Sequence, residues 1–167
     1  DRFFSKIVNK PKNILFAEGE EDEVIKAAAD WQSFRYGKAI LVGREDVIKS
    51  KFKKLGVGDI EITNAAISKN CQKYIDDLMS KQQRSGYSLR DCRRAVNRDR
   101  NIFATEMLVH DEVDLLITGI TRDYNRTLTE IMTVMKLVYY IGYRKQSLDG
   151  WQIHDEFQQY KCNQCRQ

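Results

Sequence analysis

The chain has 167 residues, 42% of them hydrophobic and 31% charged, and a formal net charge of +4. This length and balance are typical of one folded domain or part of one, and they exclude a chain that is disordered throughout. Its longest apolar runs, such as 39–42 and 113–117, are far shorter than the roughly 20 residues that cross a bilayer, so no membrane partner is expected.

The first predicted element is a short apolar strand, Asn13–Ala17, which ends at the turn Glu18–Gly19. A helix is predicted from Glu20 to about Tyr36, because apolar residues recur at helical spacing after an acidic first turn that suits the positive end of a helix. Gly37 is expected to close this helix.

A second strand and helix follow in the same order. Lys38–Val42 predicts the strand, Gly43 and Arg44 the turn, and Glu45–Leu55 the helix. Ile60–Thr63 predicts a third, shorter strand. Further helices are predicted at 68–84, 88–96 and 101–110.

The most apolar strand is predicted at Val113–Thr118, and we expect it to be the most buried. It ends at the turn Thr118–Gly119, and a helix is predicted from Asp123 to about Leu137. Alternating strands and helices of these lengths predict an α/β fold with an open, mostly parallel sheet, helices on both faces and right-handed crossovers.

Ligands of such sheets bind beyond the carboxyl ends of the strands, so the turns after the strands are expected to meet at a common mouth. None of these turns carries a dinucleotide G-x-G-x-x-G or a phosphate-binding G-x-x-x-x-G-K-[ST] motif. The sequence therefore has no motif for a nicotinamide dinucleotide or a nucleoside triphosphate.

A cluster of arginines lies in the helix predicted at 88–96 and just after it. Four of them share one broad face of a helix, which fits either the phosphates of a nucleotide or RNA, or an ordinary solvated surface. We favour the solvated surface and do not expect a nucleic-acid partner, because no aromatic residues are interleaved. The arginines are Arg90, Arg93, Arg94, Arg98 and Arg100.

The chain changes character after about Leu137. Val138–Tyr143 could be one more strand, but 144–167 has no sustained period and is expected to be a loosely attached or disordered tail, with a short helix at 151–160 as the alternative. Cys162 and Cys165 lack a second Cys or His pair that would complete a zinc site, so they are interpreted as incidental thiols of a cytoplasmic protein.

Several segments resemble landmarks of the phosphate acetyl/butyryl transferase family, in the same order and at similar spacing over about Lys6–Met135. The segments are Ile14–Asp22, Val24–Ala28, Ala39–Arg44, Phe103–Val109 and Asp114–Gly119. The resemblance implies a phosphotransacetylase subdomain like that of isocitrate and isopropylmalate dehydrogenases, truncated before the family's second subdomain. We thus expect a partial domain at 1–138 and an atypical tail at 139–167, for which a frameshift is one hypothesis.

Within the family, Ile117–Asn125 is similar to the version at the carboxyl end of bacterial NADP-dependent malic enzymes. Thr129 and Gln82 stand where the resemblance implies two arginines, which the family associates with coenzyme A and phosphate binding. A neutral hydroxyl or amide cannot make the charged, bidentate contact of a guanidinium, which argues against acetyl transfer. We expect the chain alone to be inactive, and predict no catalytic residue and no metal ligand.

The candidate ligand contacts lie on the loop after the most apolar strand and at the start of the following helix, where free backbone N–H groups and a cation would suit a phosphate or carboxylate. Gly119 could instead be only a turn residue and Asn125 only a helix cap. His110 and His154 are expected to have surface or helix-end roles. The candidate contacts are Thr118, Gly119, Thr121, Arg122 and Asn125.

Three functions remain open. The resemblance implies a fragment of the regulatory and oligomerising domain of a malic enzyme that uses NADP and a divalent metal, with acetyl-CoA as effector. Its partners would be the malic-enzyme catalytic domain or further copies of the chain. The alternatives are a fragment of a phosphate acetyltransferase, which moves acetyl between coenzyme A and phosphate, and a stand-alone interaction domain with exposed apolar faces.

Overall fold

The computed structural model describes residue 8 and residues 10–135, in which four strands form one parallel sheet in the order β3-β2-β1-β4. The strands are β1 (Ile14–Phe16), β2 (Ala39–Val42), β3 (Glu61–Thr63) and β4 (Leu115–Ile117). The α-helices of this part are α1 (Asp22–Ser33), α2 (Glu45–Leu55), α3 (Cys71–Gln82), α4 (Leu89–Arg98), α5 (Arg100–Val109) and α6 (Tyr124–Val134). The strand predicted at 138–143, the tail and its two cysteines lie outside the described residues.

Helices cover both faces of the sheet. Successive residues of a strand point to opposite faces, so they pack into two separate apolar clusters. Phe16 and Leu41 join one apolar cluster with the buried faces of α1 and α2. Leu15 and Ile40 join a second cluster, to which α3, α4, α5 and α6 contribute. The predicted α/β architecture is confirmed, and its central strands are buried on both faces as is typical of parallel sheets.

The predicted helix at 20–36 is shorter than expected and ends at Ser33. Arg35 adopts a left-handed conformation with φ of 57°, and the chain turns back so that the Lys12 N–H donates to the Tyr36 carbonyl at 2.9 Å. Gly37 therefore does not close the helix. It lies against the Lys12 backbone, where a Cβ would come within 1.9 Å of the carbonyl oxygen.

Local hydrogen bonds precede the first residues of two other helices, α3 and α4. The helix predicted from residue 68 begins at Cys71, because Asn64 first forms a turn in which its side chain accepts from the Ala66 N–H at 2.9 Å. Ser88 and Asp91 form a reciprocal capping box at the start of α4. Arg90, Arg93, Arg94 and Arg98 are all exposed, as a solvated helix face requires.

The strand expected to be the most buried, β4, is instead one of the two edge strands of the sheet in the described residues. β4 pairs with β1 alone, and Leu115 and Ile117 are each 43% exposed. The expectation was wrong because apolar composition does not distinguish a central strand from an edge strand. In this part of the chain, none of the helices has the length and apolar character needed to cross a membrane.

The turn after β1 passes very close to the end of β2. The Gly19 N–H donates to the Val42 carbonyl at 3.1 Å, and a Cβ on Gly19 would lie 2.7 Å from the Leu41 Cβ and 2.9 Å from the Val42 oxygen. Both contacts are too short for a real side chain, and one of them is to backbone that cannot rotate away. Glycine is required at position 19 because there is no room for a side chain.

We expect Gly19→Ala to lower the free energy of unfolding by about 2–3 kcal/mol, because the two strand ends must separate to admit the methyl group. Gly58→Ala is the matched control: Gly58 has ordinary φ and nothing within 4 Å of its added Cβ. The control should change stability by no more than about 1 kcal/mol, in the stabilising direction. Urea unfolding measures both, and equal losses in the two variants would refute the close-approach argument.

Candidate functional site

The order of the strands creates a switch point between β1 and β4. The first connections along the chain place β2 and β3 on one side of β1, and β4 then returns to the other side. Ligands of open α/β sheets bind in the crevice beyond the carboxyl ends of the strands at such a point. The turns at 18–19 and 118–121 both lie at this crevice, and the predicted meeting of the turns is observed.

Glu18 spans the crevice and joins the two turns. Its carboxylate accepts hydrogen bonds from the Ile120 N–H at 2.6 Å, the Thr121 N–H at 3.0 Å and the Thr121 hydroxyl at 2.5 Å. The residue is only 1% exposed. Burial by itself would raise the pKa of Glu18, but these hydrogen bonds together lower it below its ordinary value. The carboxylate is therefore charged at neutral pH, and it links the turn after β1 to the loop after β4.

This arrangement corrects the expectation of free backbone N–H groups in the loop after β4. The amides of Ile120 and Thr121 already bind an anion, and the anion is the protein's own Glu18. A phosphate could bind those two amides only by displacing the Glu18 carboxylate, which is also negatively charged. Gly119 has φ of +99°, which favours glycine, so its turn role is established while ligand contact stays a prediction.

Arg122 was expected to offer a cation, but its Nη1 is held within the protein. That nitrogen donates to Asp99 Oδ2 at 2.8 Å and to Glu130 Oε2 at 2.7 Å. Burial opposes the charge of Glu130, yet hydrogen bonds from Arg122, Asn101 and Arg126 outweigh it and lower the pKa of that carboxyl. The ion pairs link the loop after β4 to the start of α5 and to α6.

Thr118 and Asn101 extend the same network. The Thr118 hydroxyl donates to Asn101 Oδ1 at 2.6 Å, and Asn101 Nδ2 donates to Glu130 Oε2 at 2.7 Å. Asn101 is fully buried, so both of its polar atoms need these partners. Thr118 thus holds the loop in place through Asn101.

Asn125 is not the cap of α6. Asp123 has that role, since its carboxylate accepts from the N–H groups of Asn125 at 3.0 Å and Arg126 at 3.3 Å. Asn125 is exposed, and its side chain does not cap the helix. Of the five candidate contacts, it is the one best suited to substitution without loss of the fold.

The turn after β2 is tied to the turn after β1 by a second ion pair. Arg44 donates from its backbone N–H and from Nε to Glu20 Oε1 at 3.1 Å each, and from Nη2 to Oε2 at 3.3 Å. The hydrogen bond from Arg44 lowers the pKa of Glu20. The Arg44 side chain remains 66% exposed, so it is a cation at the rim of the crevice.

The positions at which the resemblance expects arginine are both occupied by neutral groups with internal hydrogen bonds. Gln82 Nε2 donates to the Thr133 carbonyl at 2.5 Å, which ties α3 to α6. The Thr129 hydroxyl donates to the Asn125 carbonyl at 2.8 Å, within α6. Neither group adds positive charge to the crevice.

Sequence reasoning missed Glu18, Asp99, Asn101 and Glu130 as functional-site residues. Glu18 was interpreted mainly as part of a turn. A partial signal was present, because a carboxylate that ends one parallel strand faces the loops of the neighbouring strands. The identity of its neighbour depends on the strand order, which no local pattern reveals.

The chain is similar in sequence to a known protein family and to several known proteins. The sequence profile described as Phosphate acetyl/butaryl transferase matches residues 1–141. A "Probable NADP-dependent malic enzyme" of Rickettsia prowazekii is 43% identical over 135 residues, and an NADP-dependent malic enzyme of Rhizobium meliloti is 37% identical over 134 residues. Each alignment covers 78% of this chain but 18% of the relative, so the chain spans less than a fifth of either protein.

A solved structure has the same fold. The crystal structure of a phosphotransacetylase from Streptococcus pyogenes superimposes with a TM-score of 0.72, covering 78% of this chain and 40% of that one. The sequence identity is 22%, so this likeness bears on the fold alone.

We expect Glu18→Gln to lower the free energy of unfolding near pH 7 by about 2–3 kcal/mol, because an amide lacks the charge and turns an N–H donor toward backbone donors. The pKa of Glu18 lies below its unfolded value of 4.5, so the wild-type advantage is present above that value and is lost as the pH falls through the folded-state pKa. Urea unfolding near pH 7 and at progressively more acidic pH below 4.5 should show the difference between wild type and variant shrink.

The control for this prediction is Glu23→Gln, which removes a carboxylate that is 81% exposed and paired with Lys26 on the surface. Its effect should stay within about 0.5 kcal/mol at either pH. A loss for Glu18→Gln that does not diminish in acid would show that the charge of Glu18 is unimportant.

Proposed function

Because the chain belongs to the phosphate acetyl/butaryl transferase family, we propose that it is part of a phosphotransacetylase-like domain that regulates and assembles an NADP-dependent malic enzyme. In the whole protein, oxidative decarboxylation of malate to pyruvate, with NADP and a divalent metal, would take place in a catalytic domain outside these residues. This domain would sense acetyl-CoA without converting it.

The neutral, internally bonded Gln82 and Thr129 carry the proposal of a non-catalytic role. Transfer of acetyl between coenzyme A and phosphate requires that the anionic groups of both substrates be held while charge develops. A guanidinium can do this with two charged hydrogen bonds, and an amide or hydroxyl cannot. These side chains therefore argue against acetyl transfer, and the phosphates of a bound acetyl-CoA would have to be held by other cations.

NADP does not fit the crevice between β1 and β4. A dinucleotide pyrophosphate would lie against the turn after β1 and the start of the next helix, where it needs free N–H groups and positive potential. Glu18 and Glu20 bring carboxylates to this turn. NADP is therefore assigned to the catalytic domain of the proposed parent protein.

The rim of the crevice has features that suit the phosphates of acetyl-CoA. The guanidinium groups of Arg44 and Arg126 are 66% and 67% exposed, and each is oriented by a carboxylate, Glu20 and Glu130. Asn125 and Gly119 are exposed between the loop and α6. An anionic effector at this rim would meet oriented cations without displacing Glu18.

We expect acetyl-CoA to raise the melting temperature of the chain, since a ligand that binds only the native state stabilises it by mass action. Asn125→Ala should weaken the affinity about three- to tenfold, as expected for the loss of one hydrogen bond of about 0.5–1.5 kcal/mol. Asn97→Ala, a substitution at another exposed asparagine on α4, is the matched control and should leave the affinity unchanged.

A parallel assay with acetyl phosphate and coenzyme A distinguishes the alternatives. Formation of acetyl-CoA by the chain would overturn the non-catalytic role in favour of a phosphate acetyltransferase. A melting temperature that does not respond to acetyl-CoA would refute the sensing role and leave the interaction domain.

The proposal includes a partner, either the catalytic domain or a second copy of the chain. Exposed apolar residues along β4 and the loop after it support this part of the proposal, since such side chains are usually covered by another surface. Leu115 and Ile117 are each 43% exposed, Ile120 is 57% exposed and Tyr124 is 73% exposed.

If copies of the chain associate through this surface, we expect Ile120→Lys to shift the sedimentation profile toward the monomer, because a charge cannot be buried unpaired in an apolar interface. Ile67→Lys is the control, because Ile67 is 72% exposed and precedes α3. A profile that both substitutions change equally, or that neither changes, would count against β4 as the interface.

A further inference from the structure

A compact group of polar side chains lies between α3 and α5, in the apolar layer that covers one face of the sheet. Asp77 is on α3, Glu106 is on α5, and His110 is the residue at which α5 ends. The spacing of Glu106 and His110, four residues apart, places both on one face of the helix. One potential metal-ligand atom from each of the three residues lies within 4.8 Å of the others.

Glu106 has no role in the crevice. It is fully buried, and within the described residues neither of its side-chain oxygens accepts a hydrogen bond from an N–H or hydroxyl group, so the Asp77 carboxyl, with which it can share a proton, is its one polar neighbour of that kind. A buried acidic group with so few polar neighbours in an apolar layer is costly, and each such exception calls for a physical explanation.

His110 also has a buried polar atom without a partner in this group. Its Nε2 lies 3.7 Å from Asp77 Oδ2 and 3.7 Å from Glu106 Oε2, and it has no hydrogen-bond partner within residues 10–135. The ring is stacked on Tyr74 with centroids 5.4 Å apart and planes at 17°, which fixes its orientation. An oriented imidazole nitrogen thus faces two carboxylates at equal distance.

The distances agree with a metal site before metal is bound. Two ligands about 2.0–2.1 Å from a tetrahedral zinc ion are separated by about 3.3–3.4 Å. The observed 3.7 Å from His110 Nε2 to each carboxyl oxygen exceeds this separation by only a few tenths of an ångström, and the two carboxyl oxygens lie within 4.8 Å of each other. Imidazole together with carboxylate oxygen is a donor set that suits zinc, whereas magnesium and calcium prefer oxygen alone.

We propose that Asp77, Glu106 and His110 bind a zinc ion that joins α3 to α5. The ion would supply a positive charge in direct contact with the buried Glu106 and would accept the electron pair of the unpartnered His110 Nε2. With three protein ligands, a fourth position remains for water. The side chains of Asp77 and His110 are 24% and 19% exposed, which gives the ion a route from solvent.

Lys81 is the natural competitor for this site. Its ammonium group forms an ion pair with Asp77 four residues earlier on α3. In the absence of zinc, Lys81 forms its ion pair with Asp77, and its charge also acts on Glu106. Removing Lys81 should therefore strengthen zinc binding, an effect opposite to that of removing a ligand.

The test is calorimetric titration of the full chain with zinc chloride. The starting protein carries Cys162→Ser and Cys165→Ser, so that the terminal thiols do not contribute. We expect one zinc ion per chain and a higher melting temperature with zinc than without it. His110→Gln and Asp77→Asn should each weaken binding by more than about tenfold, since even groups that only orient metal ligands are worth roughly 10–100-fold.

Two controls keep the proposal falsifiable if a variant folds poorly. His154→Gln removes the other histidine of the chain and should leave zinc affinity unchanged. Lys81→Ala keeps all three ligands and should bind zinc more tightly than the starting protein. Absence of zinc binding, or binding that is insensitive to His110→Gln, would overturn the proposal and leave a proton shared between Glu106 and Asp77.

Discussion

The Glu18 carboxylate is the constraint on which the crevice depends. It lies at the end of β1, is almost fully buried, and accepts three hydrogen bonds from residues that follow β4. An anion in this position substitutes for the phosphate or carboxylate that loops at a switch point often bind. The loop after β4 is therefore ordered by the protein itself, and a ligand would have to approach from the exposed rim.

Partly buried ion pairs connect this loop to the helices around the crevice. Arg122 connects the loop to Asp99, which begins α5, and to Glu130 in the middle of α6. Each group has several partners, which is how charges become tolerable in a poorly hydrated place. The arrangement holds the loop after β4 in a fixed shape, and the neutral Gln82 and Thr129 agree with the proposal that the domain does not transfer acetyl.

The pattern of the sequence was sufficient for much of the fold. Short apolar runs identified the four strands β1–β4, three of these runs being closed by a glycine within two residues, and helical spacing identified α1–α6, with α2 predicted to the residue. Boundaries were wrong where a turn used its own hydrogen bonds, as at Asn64, or where the chain folded back on Lys12. Such contacts are decided by side chains and distant backbone that a periodic pattern does not contain.

The sequence by itself determined the alternation of elements, the parallel sheet, the family and the turns at which a site would form, because these follow from local apolar spacing and recognisable motifs. Only the tertiary structure decided that β4 is an edge in the described residues, that Glu18 binds amides more than 100 residues away, and that Glu106 faces Asp77 and His110. These outcomes depend on which strands and helices become neighbours. That choice is made by packing across the whole domain, since the free energy of burial does not depend on the order of residues along the chain.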